Sequence, residues 1–468
     1  MEAEELHYLS ASEILRLYRS RALSPVEYMR ATIARAEKLN PTLNAICTPT
    51  YDMALQEARR AEVLLRSPTD CPPIVGIPTT IKDLALTKNV RTMAGSHVFA
   101  TRIPEIDHLH VRRMKNAGLI SIGKTTTSEF GWSGVSRSPL TGATHNPWQL
   151  GMNAGASSAG AAVCAASGIG PIHQGSDGAG SIRIPAAFCG VYGFKPSHGR
   201  VPYFPMPVNG LISHVGPITR TVEDAALMLQ SISGPDDLDI TSIDQNPASY
   251  VQKLDSDLSG LRIGYSPDLG YLPIDQEVKE VVSDAVHIFE DLGCVVDEVR
   301  IPWQDPRESQ YCMFSVSLLM MYGDYVKDYA EKMDPGLIEM IELGKTYSAV
   351  EYAKAQGDRF VLYENVRSLF EHIDVLVTPT LSVAAFPHSQ LIPDHWDSAW
   401  WDWMSWAGFS YPFNLTWLPA ASVPCGVTSK GLPVGLQVVC KKNADLLVFQ
   451  VSKGFESAKP WAHRRPMF

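Results

Sequence analysis

Along the first seventy residues apolar side chains recur every three or four positions, the period of an α-helix with one buried face. Ser10-x-x-Glu13 and Ser24-Pro25-x-Glu27 are capping boxes, the second with proline at the first helical position. Behind the second, Val26, Met29, Ile33 and Ala36 share one face, so residues 1–70 are expected to form a helical collar. From Ile74 the pattern changes to short apolar runs alternating with amphipathic stretches. Ile74–Ile81 is rich in β-formers but broken by Gly76 and Pro78; His110–Leu119 reads as a helix and Leu119–Gly123 as the strand after it. Leu261–Tyr265, Asp275–Leu292 and Cys294–Ile301 repeat strand, helix, strand. Ile373–Pro379, Ala420–Pro424 and Val434–Val439 add three buried strands. This alternation predicts an α/β architecture around a largely buried sheet.

Composition narrows the class. Of 468 residues 45% are hydrophobic and 19% charged, with a net charge of −10, which excludes a disordered chain. The absence of a basic excess argues against a nucleic-acid partner, and the absence of an apolar run of ~18 residues against a membrane span. The acidic start Met1-Glu2-Ala3-Glu4 is unlike a secretory leader, and the eight cysteines are scattered without a C-x-x-C pair; both point to the cytoplasm. No linker-like stretch divides the chain, so one large domain, 1–468, is expected, with a core segment 74–220 and the remainder of the α/β core in 221–468.

Two residue types are unevenly spread. Thirteen of the 34 glycines lie within 151–220, and six of the ten tryptophans between Trp396 and Trp417. The glycine block holds two serine-bearing turns, Gly155–Gly160 and Gly175–Ser181, separated by an Ala-rich stretch suited to a tightly packed helix. Small residues allow close backbone approach, and successive N–H groups can then converge on an anion or oxyanion. P-loop, dinucleotide and G-x-S-x-G nucleophile motifs are all missing. Ser121-x-x-Lys124 matches S-x-x-K without its companion motifs, and Lys124 and Lys195 read as capping and packing residues. His108-x-His110 lacks further ligands nearby, so it reads as a surface or capping pair and no metal is expected.

These turns resemble the amidase signature family, whose hallmark runs roughly G-G-S-S-G-G and then G-T-D-x-G-G-S-x-R-x-P. Here they stand as Gly155-Ala156-Ser157-Ser158-Ala159-Gly160 and Gly175-Ser176-Asp177-Gly178-Ala179-Gly180-Ser181-Ile182-Arg183-Ile184-Pro185. Gly76-Ile77-Pro78 with Lys82-Asp83, Gly123-Lys124-Thr125, Asn146-Pro147-Trp148, Asn414-Leu415-Thr416 and Gly431–Gln437 are further landmarks in the family's order, as is the closing Pro460–Pro466. The resemblance spans nearly the whole chain. It implies a single domain with a mixed, mostly buried central sheet flanked by helices on both faces. It also implies a Ser–cis-Ser–Lys triad with Ser181 as nucleophile, Ser157 as relay and Lys82 as base, without a cofactor. A serine hydroxyl needs such a base, and a desolvated lysine can supply it. The oxyanion is then expected to be held by the backbone N–H groups of Gly178, Ala179, Gly180 and Ser181, with Ser158, Asp177 and Arg183 bracing the loops.

Three alanines, Ala156, Ala159 and Ala179, replace the family's glycines, and Trp417 stands where it commonly has another. The first three raise the question of whether the loops keep their geometry. For the tryptophans two readings stay open, a packed aromatic layer or the wall of an acyl or aryl pocket; Trp132, Trp401 and Trp417 are the pocket candidates. With no paired basic residues evident near these motifs, the expected substrate is a small neutral amide or anilide of aromatic or apolar character, cleaved through an acyl-enzyme. A urethanase or esterase acting on carbamates or esters shares the chemistry. A glutamine-amidotransferase subunit of a tRNA-charging complex shares the triad, and a catalytically silent binding protein shares the fold. A homodimer is compatible with any of these.

Overall fold

The computed structural model describes residues 3–66, 71–245 and 249–468; Met1, Glu2 and 67–70 of the N-terminal segment lie outside them. Among the described residues thirteen strands occur in chain order: β1 (Ile46–Pro49), β2 (Pro78–Lys82), β3 (Ile120–Thr125), β4 (Arg137–Ser138), β5 (Gly142–Ala143), β6 (Ile172–Asp177), β7 (Tyr192–Lys195), β8 (His214–Thr219), β9 (Arg262–Tyr265), β10 (Val295–Glu298), β11 (Val375–Pro379), β12 (Ala420–Val427) and β13 (Pro433–Cys440). Apart from the small β4–β5 hairpin they form one 11-stranded sheet in the order β1-β3-β2-β6-β8-β7-β12-β13-β11-β9-β10. The sheet is mixed. β2 runs parallel to β3 and β6, and β9 to β10 and β11, while the central strands pair antiparallel.

Alternating side chains enter different cores, so both faces of the sheet are covered. Val375 and Val377 join the core beneath the helices Val222–Ile232, Gln276–Asp291 and Asp445–Ala458, whereas Leu376 joins the opposite one with Phe188 of the helix Arg183–Cys189. The expected single α/β domain with a mixed, buried sheet is therefore what forms.

Both expected capping boxes are made, and Met29, Ile33 and Ala36 are buried. The Ala-rich stretch is the helix Ala159–Ala166, buried at every residue. Two expected strands are shorter than their apolar runs. Ile74–Ile81 becomes strand only from Pro78, because the chain turns over residues 73–76, where the Val75 N–H bonds the Pro72 carbonyl and the Ile77 N–H the Ile74 carbonyl. Cys294–Ile301 pairs only over Val295–Glu298, since its neighbour in the sheet, β9, is four residues long. Between β10 and β11 the helices Arg307–Tyr322, Pro335–Thr346 and Ala349–Leu369 pack into the second core and deliver Tyr322 towards the site described next.

Candidate active site

β2 and β6 are parallel neighbours, and their carboxyl ends carry Lys82 and Asp177. Loops leaving such strand ends are where open α/β sheets bind ligands. The chain turns after Asp177 through Gly178–Ile182 into the helix Arg183–Cys189, and a second loop holding Ser157 leads into the helix Ala159–Ala166. The loops are tied together: the Ser158 N–H donates to the Ser181 carbonyl at 3.1 Å, and Ser158 Oγ donates to the Ser176 carbonyl at 3.2 Å.

Lys82 is buried, and its backbone N–H is fixed by Gln174 Oε1 at 2.9 Å. Its Nζ lies 2.7 Å from Ser157 Oγ and 3.1 Å from both the carbonyl and Oγ of Ser176. Among the described residues no carboxylate pairs with it. Burial pushes the amine down to about 7, although Asp177 acts against that shift. The rival Lys124, on the adjacent β3, donates instead to the Ala85 carbonyl, Thr87 Oγ1 and Thr92 Oγ1, and burial lowers it only to about 8. Lys195 is buried against the Leu418 carbonyl. Neither touches the serine loops.

Asp177 organises the turn that bears Ser181. It accepts from the N–H groups of Gly180 (2.7 Å) and Ile182 (3.2 Å), from Arg183 Nε and Nη2 (3.0 Å each), and from Asn414 Nδ2 at 2.8 Å. Burial alone would raise this carboxyl, but the Arg183 guanidinium outweighs it and holds the group well below the usual carboxylate range. Arg183 in turn donates to Gln437 Oε1 at 2.7 Å, Asn414 Oδ1 at 2.6 Å and the Ser410 carbonyl at 2.8 Å. Asn414 and Gln437 belong to motifs that the sequence displays, yet their part in bracing this loop is visible only once the fold closes.

One expected oxyanion donor is corrected by this geometry. The Gly180 N–H is spent on Asp177 Oδ1, whereas those of Gly178, Ala179 and Ser181 have no acceptor among the described residues. The alanine substitutions fall where a Cβ is allowed. None of Ala156, Ala159 and Ala179 has a positive φ, and the Ala156–Ser157 peptide is cis. The remaining glycines are the constrained ones. Gly180 has φ +109°, and a Cβ there would lie 2.5 Å from Ser410 Oγ; at Gly155, φ +75°, it would lie 2.6 Å from Pro185 Cα.

Ser157, Ser181 and Gly178 open onto a cavity of about 190 Å³. Its walls are Leu84, Phe130, Tyr203, Met206, Val208 and Tyr322, with Phe130 and Tyr322 stacked at 3.7 Å between ring centres. The tryptophan candidates are elsewhere. Trp132 is wholly buried against Gly336, Trp401 packs on Tyr311, and Trp417 stacks on His198 at 4.4 Å. The cluster is a packing layer: Trp403 and Trp406 lie against Gly134, whose carbonyl accepts the Ala156 N–H. Large rings so close to backbone leave no room for a ligand between them. His108 and His110 are also not surface residues. Both are buried, edge-on to Tyr203, and His108 borders the cavity beside Arg102. No spacing rule could have placed Arg102 there, because it comes from a loop outside every motif. Among the described residues no group of three or more His, Cys, Asp or Glu could hold a metal, and no helix is long and apolar enough to cross a membrane.

A family model described as Amidase matches residues 27–449. The chain belongs to the amidase family. As a member it is a hydrolase of carbon–nitrogen bonds in linear amides. An acylamidase of Rhodococcus erythropolis is 37% identical across 100% of this chain and 98% of its own length. A glutamyl-tRNA(Gln) amidotransferase subunit of Moorella thermoacetica is 33% identical across 99% of each. Among solved structures, a bacterial aryl acylamidase of the amidase signature family superposes with a TM-score of 0.92 and 29% identity, covering 99% of this chain and 100% of that one. The amidotransferase reading is the less favoured of the two.

Proposed function

We propose that the protein hydrolyses a small neutral amide or anilide with an apolar or aromatic body through an acyl-enzyme on Ser181. The observation that carries this is the buried Lys82 Nζ, 2.7 Å from Ser157 Oγ, beneath a cavity that both Ser157 and Ser181 line. With its pKa near 7, about half of Lys82 is neutral at neutral pH and able to take a proton. Ser181 Oγ attacks the amide carbon and passes its proton to Ser157 Oγ, which passes its own to Lys82 Nζ. The oxyanion accepts from the N–H groups of Gly178, Ala179 and Ser181, donors that strengthen as charge develops on the oxygen. Return of the proton through Ser157 to the departing nitrogen breaks the C–N bond, and the same relay then activates water against the ester.

The apolar side chains in the cavity wall, Leu84, Phe130, Met206, Val208 and Tyr322, support an aryl or alkyl body, as do the names of the acylamidase relatives. The free thiols of the six buried cysteines support a reducing compartment, the cytoplasm. Ser181→Ala should abolish turnover of acetanilide-type substrates, and the wild type should show an acyl mass increment on the Ser181 peptide after quenching. Undiminished turnover by the variant would overturn the assignment. A wild type that neither turns over anilides nor accepts an active-site phosphonate would favour a silent binding protein.

A further inference from the structure

The cavity is not uniformly apolar: besides the serines it is bordered by Arg102 and His108. Arg102 uses Nε to bond the Thr92 carbonyl at 2.9 Å and lays its guanidinium over the Phe99 ring at 4.0 Å. Those contacts anchor the side chain, but among the described residues its two terminal nitrogens find no acceptor and Arg102 forms no ion pair. Of the carboxylates nearby, Asp177 is held by Arg183, whereas Asp83 accepts the Met93 N–H through Oδ2, leaves Oδ1 unpaired among the described residues, and offsets part of the Arg102 charge without bonding to it.

His108 supplies a second donor by an independent route. Its Nδ1 accepts the Leu86 N–H at 3.0 Å, so the ring proton sits on Nε2, which has no partner among the described residues. Burial, with Lys124 and Arg102 nearby, keeps the imidazole neutral, down to about 3. Two donor groups thus border a cavity that mixes apolar side chains with the polar Ser176, Asn209 and Ser213. The half-buried Arg102 cation, which Asp83 offsets only in part, gains a direct partner only when something else fills the space.

We propose that Arg102 and His108 form an acceptor-binding subsite, which holds an oxygen that the substrate carries in addition to its scissile amide. A carboxylate is the strongest occupant, because it neutralises the guanidinium and matches its paired N–H groups; a neutral carboxamide oxygen is a weaker one. The preferred substrate class is thus an amide with an apolar body and an additional oxygen acceptor. This rests on the reading of the cavity as the amide site, and it replaces that reading's neutral substrate with one that carries an acidic or carboxamide group beside the amide.

The test compares acetanilide with its ring-methyl, ring-carboxamide and ring-carboxylate derivatives, substituted meta and para. In the wild type, kcat/KM for the better carboxylate isomer should exceed that for the methyl analogue about tenfold or more, with the carboxamide between them. In Arg102→Met that ratio should fall to near one, and Arg102→Lys should restore part of it for the carboxylate but not for the carboxamide. The ratio within each variant is insensitive to a general loss of folded protein. Calorimetric binding of the same four compounds to Ser181→Ala gives a readout that does not need turnover, so failure of the catalytic assignment and failure of this one are distinguishable. Equal affinities for the methyl and carboxylate compounds, or a preference that survives Arg102→Met, would overturn the subsite.

Discussion

The glycine-rich segment 151–200 holds the two serine loops, and the tryptophan-rich segment 396–417 packs around them. The first lends mainly backbone. Its Ser181 turn leaves three N–H groups unclaimed among the described residues, and its small residues let the Ser157 and Ser181 loops lie against each other. The second lends bulk and fixed polar atoms. Trp403 and Trp406 press on Gly134 behind the Ser157 loop, Ser410 Oγ lies 2.8 Å from the Ala179 carbonyl, and Asn414 donates to Asp177. A site whose chemistry depends on backbone donors gains little rigidity from its own side chains. The rigidity has to come from a neighbour, and a dense aromatic layer provides it, because close-packed interiors yield little.

The two segments can be separated by what their loss should cost. The largest effect belongs to the proton relay that the glycine loops surround. Lys82→Met should lower kcat by about 10⁴-fold or more, the scale seen when one member of a triad is removed. It should leave the thermal midpoint unchanged or higher, since a buried amine without a carboxylate partner is replaced by an apolar chain of similar length. A large fall in the midpoint would show that Lys82 is structural. Trp406→Ala comes next and reverses the pattern: loss of a wholly buried indole should cost about 3–5 kcal/mol in denaturant unfolding, whatever it does to the rate.

How far these roles could be read beforehand differs between the segments for a physical reason. The serines, the lysine and the braces lie in contiguous motifs, where residue type and order carry the chemistry, and the periodic helices and apolar strands announce themselves by burial. The strand Ile172–Asp177 does not, because His173 and Gln174 are buried in it as polar partners of Thr80 and Lys82. Likewise composition makes Trp132, Trp401 and Trp417 plausible pocket walls, but whether a ring faces a cavity or a backbone depends on contacts distant in sequence. Phe130, Tyr322 and Arg102 line the cavity from three separate parts of the chain, so no local pattern connects them. The Gly180 donor fails for a subtler reason: a carboxylate three residues earlier folds back to claim its N–H.

That last point leads to a test of intermediate size. Gly180→Ala should cost about 2 kcal/mol, from a positive φ and a contact with Ser410 Oγ that must give way, and it should reduce kcat by displacing Ser181. Introducing glycine at Ala179, which has no positive φ, should leave kcat within about twofold. A smaller effect is expected from pH. Burial, the larger influence, lowers Lys82 and Asp177 raises it, leaving the amine near 7; the base is the neutral form, so kcat/KM should rise with pH through about 7 and then level. Between pH 8 and pH 6 the fall should be about tenfold. A flat profile over that range would show that no essential group titrates near 7, and a fall that begins only at lower pH would place the base's titration there.

The smallest expected effect decides whether Trp417 belongs with the packing layer. It has φ +63°, a left-handed backbone that suits glycine; its ring stacks on His198, lies 4.6 Å from the Arg359 guanidinium, and donates to the Leu211 carbonyl at 2.6 Å. Trp417→Gly loses these contacts but relieves the backbone, so the net change should stay within about 1 kcal/mol. Trp417→Ala loses the same contacts and keeps the unfavourable φ, so it should be less stable than the glycine variant by about 1 kcal/mol. The order of these two variants in urea unfolding reports on the backbone alone, because their lost contacts are identical. Their kcat/KM for anilides should match the wild type within about twofold, since the indole does not border the cavity. A shared, larger loss of activity in both would return Trp417 to the substrate pocket.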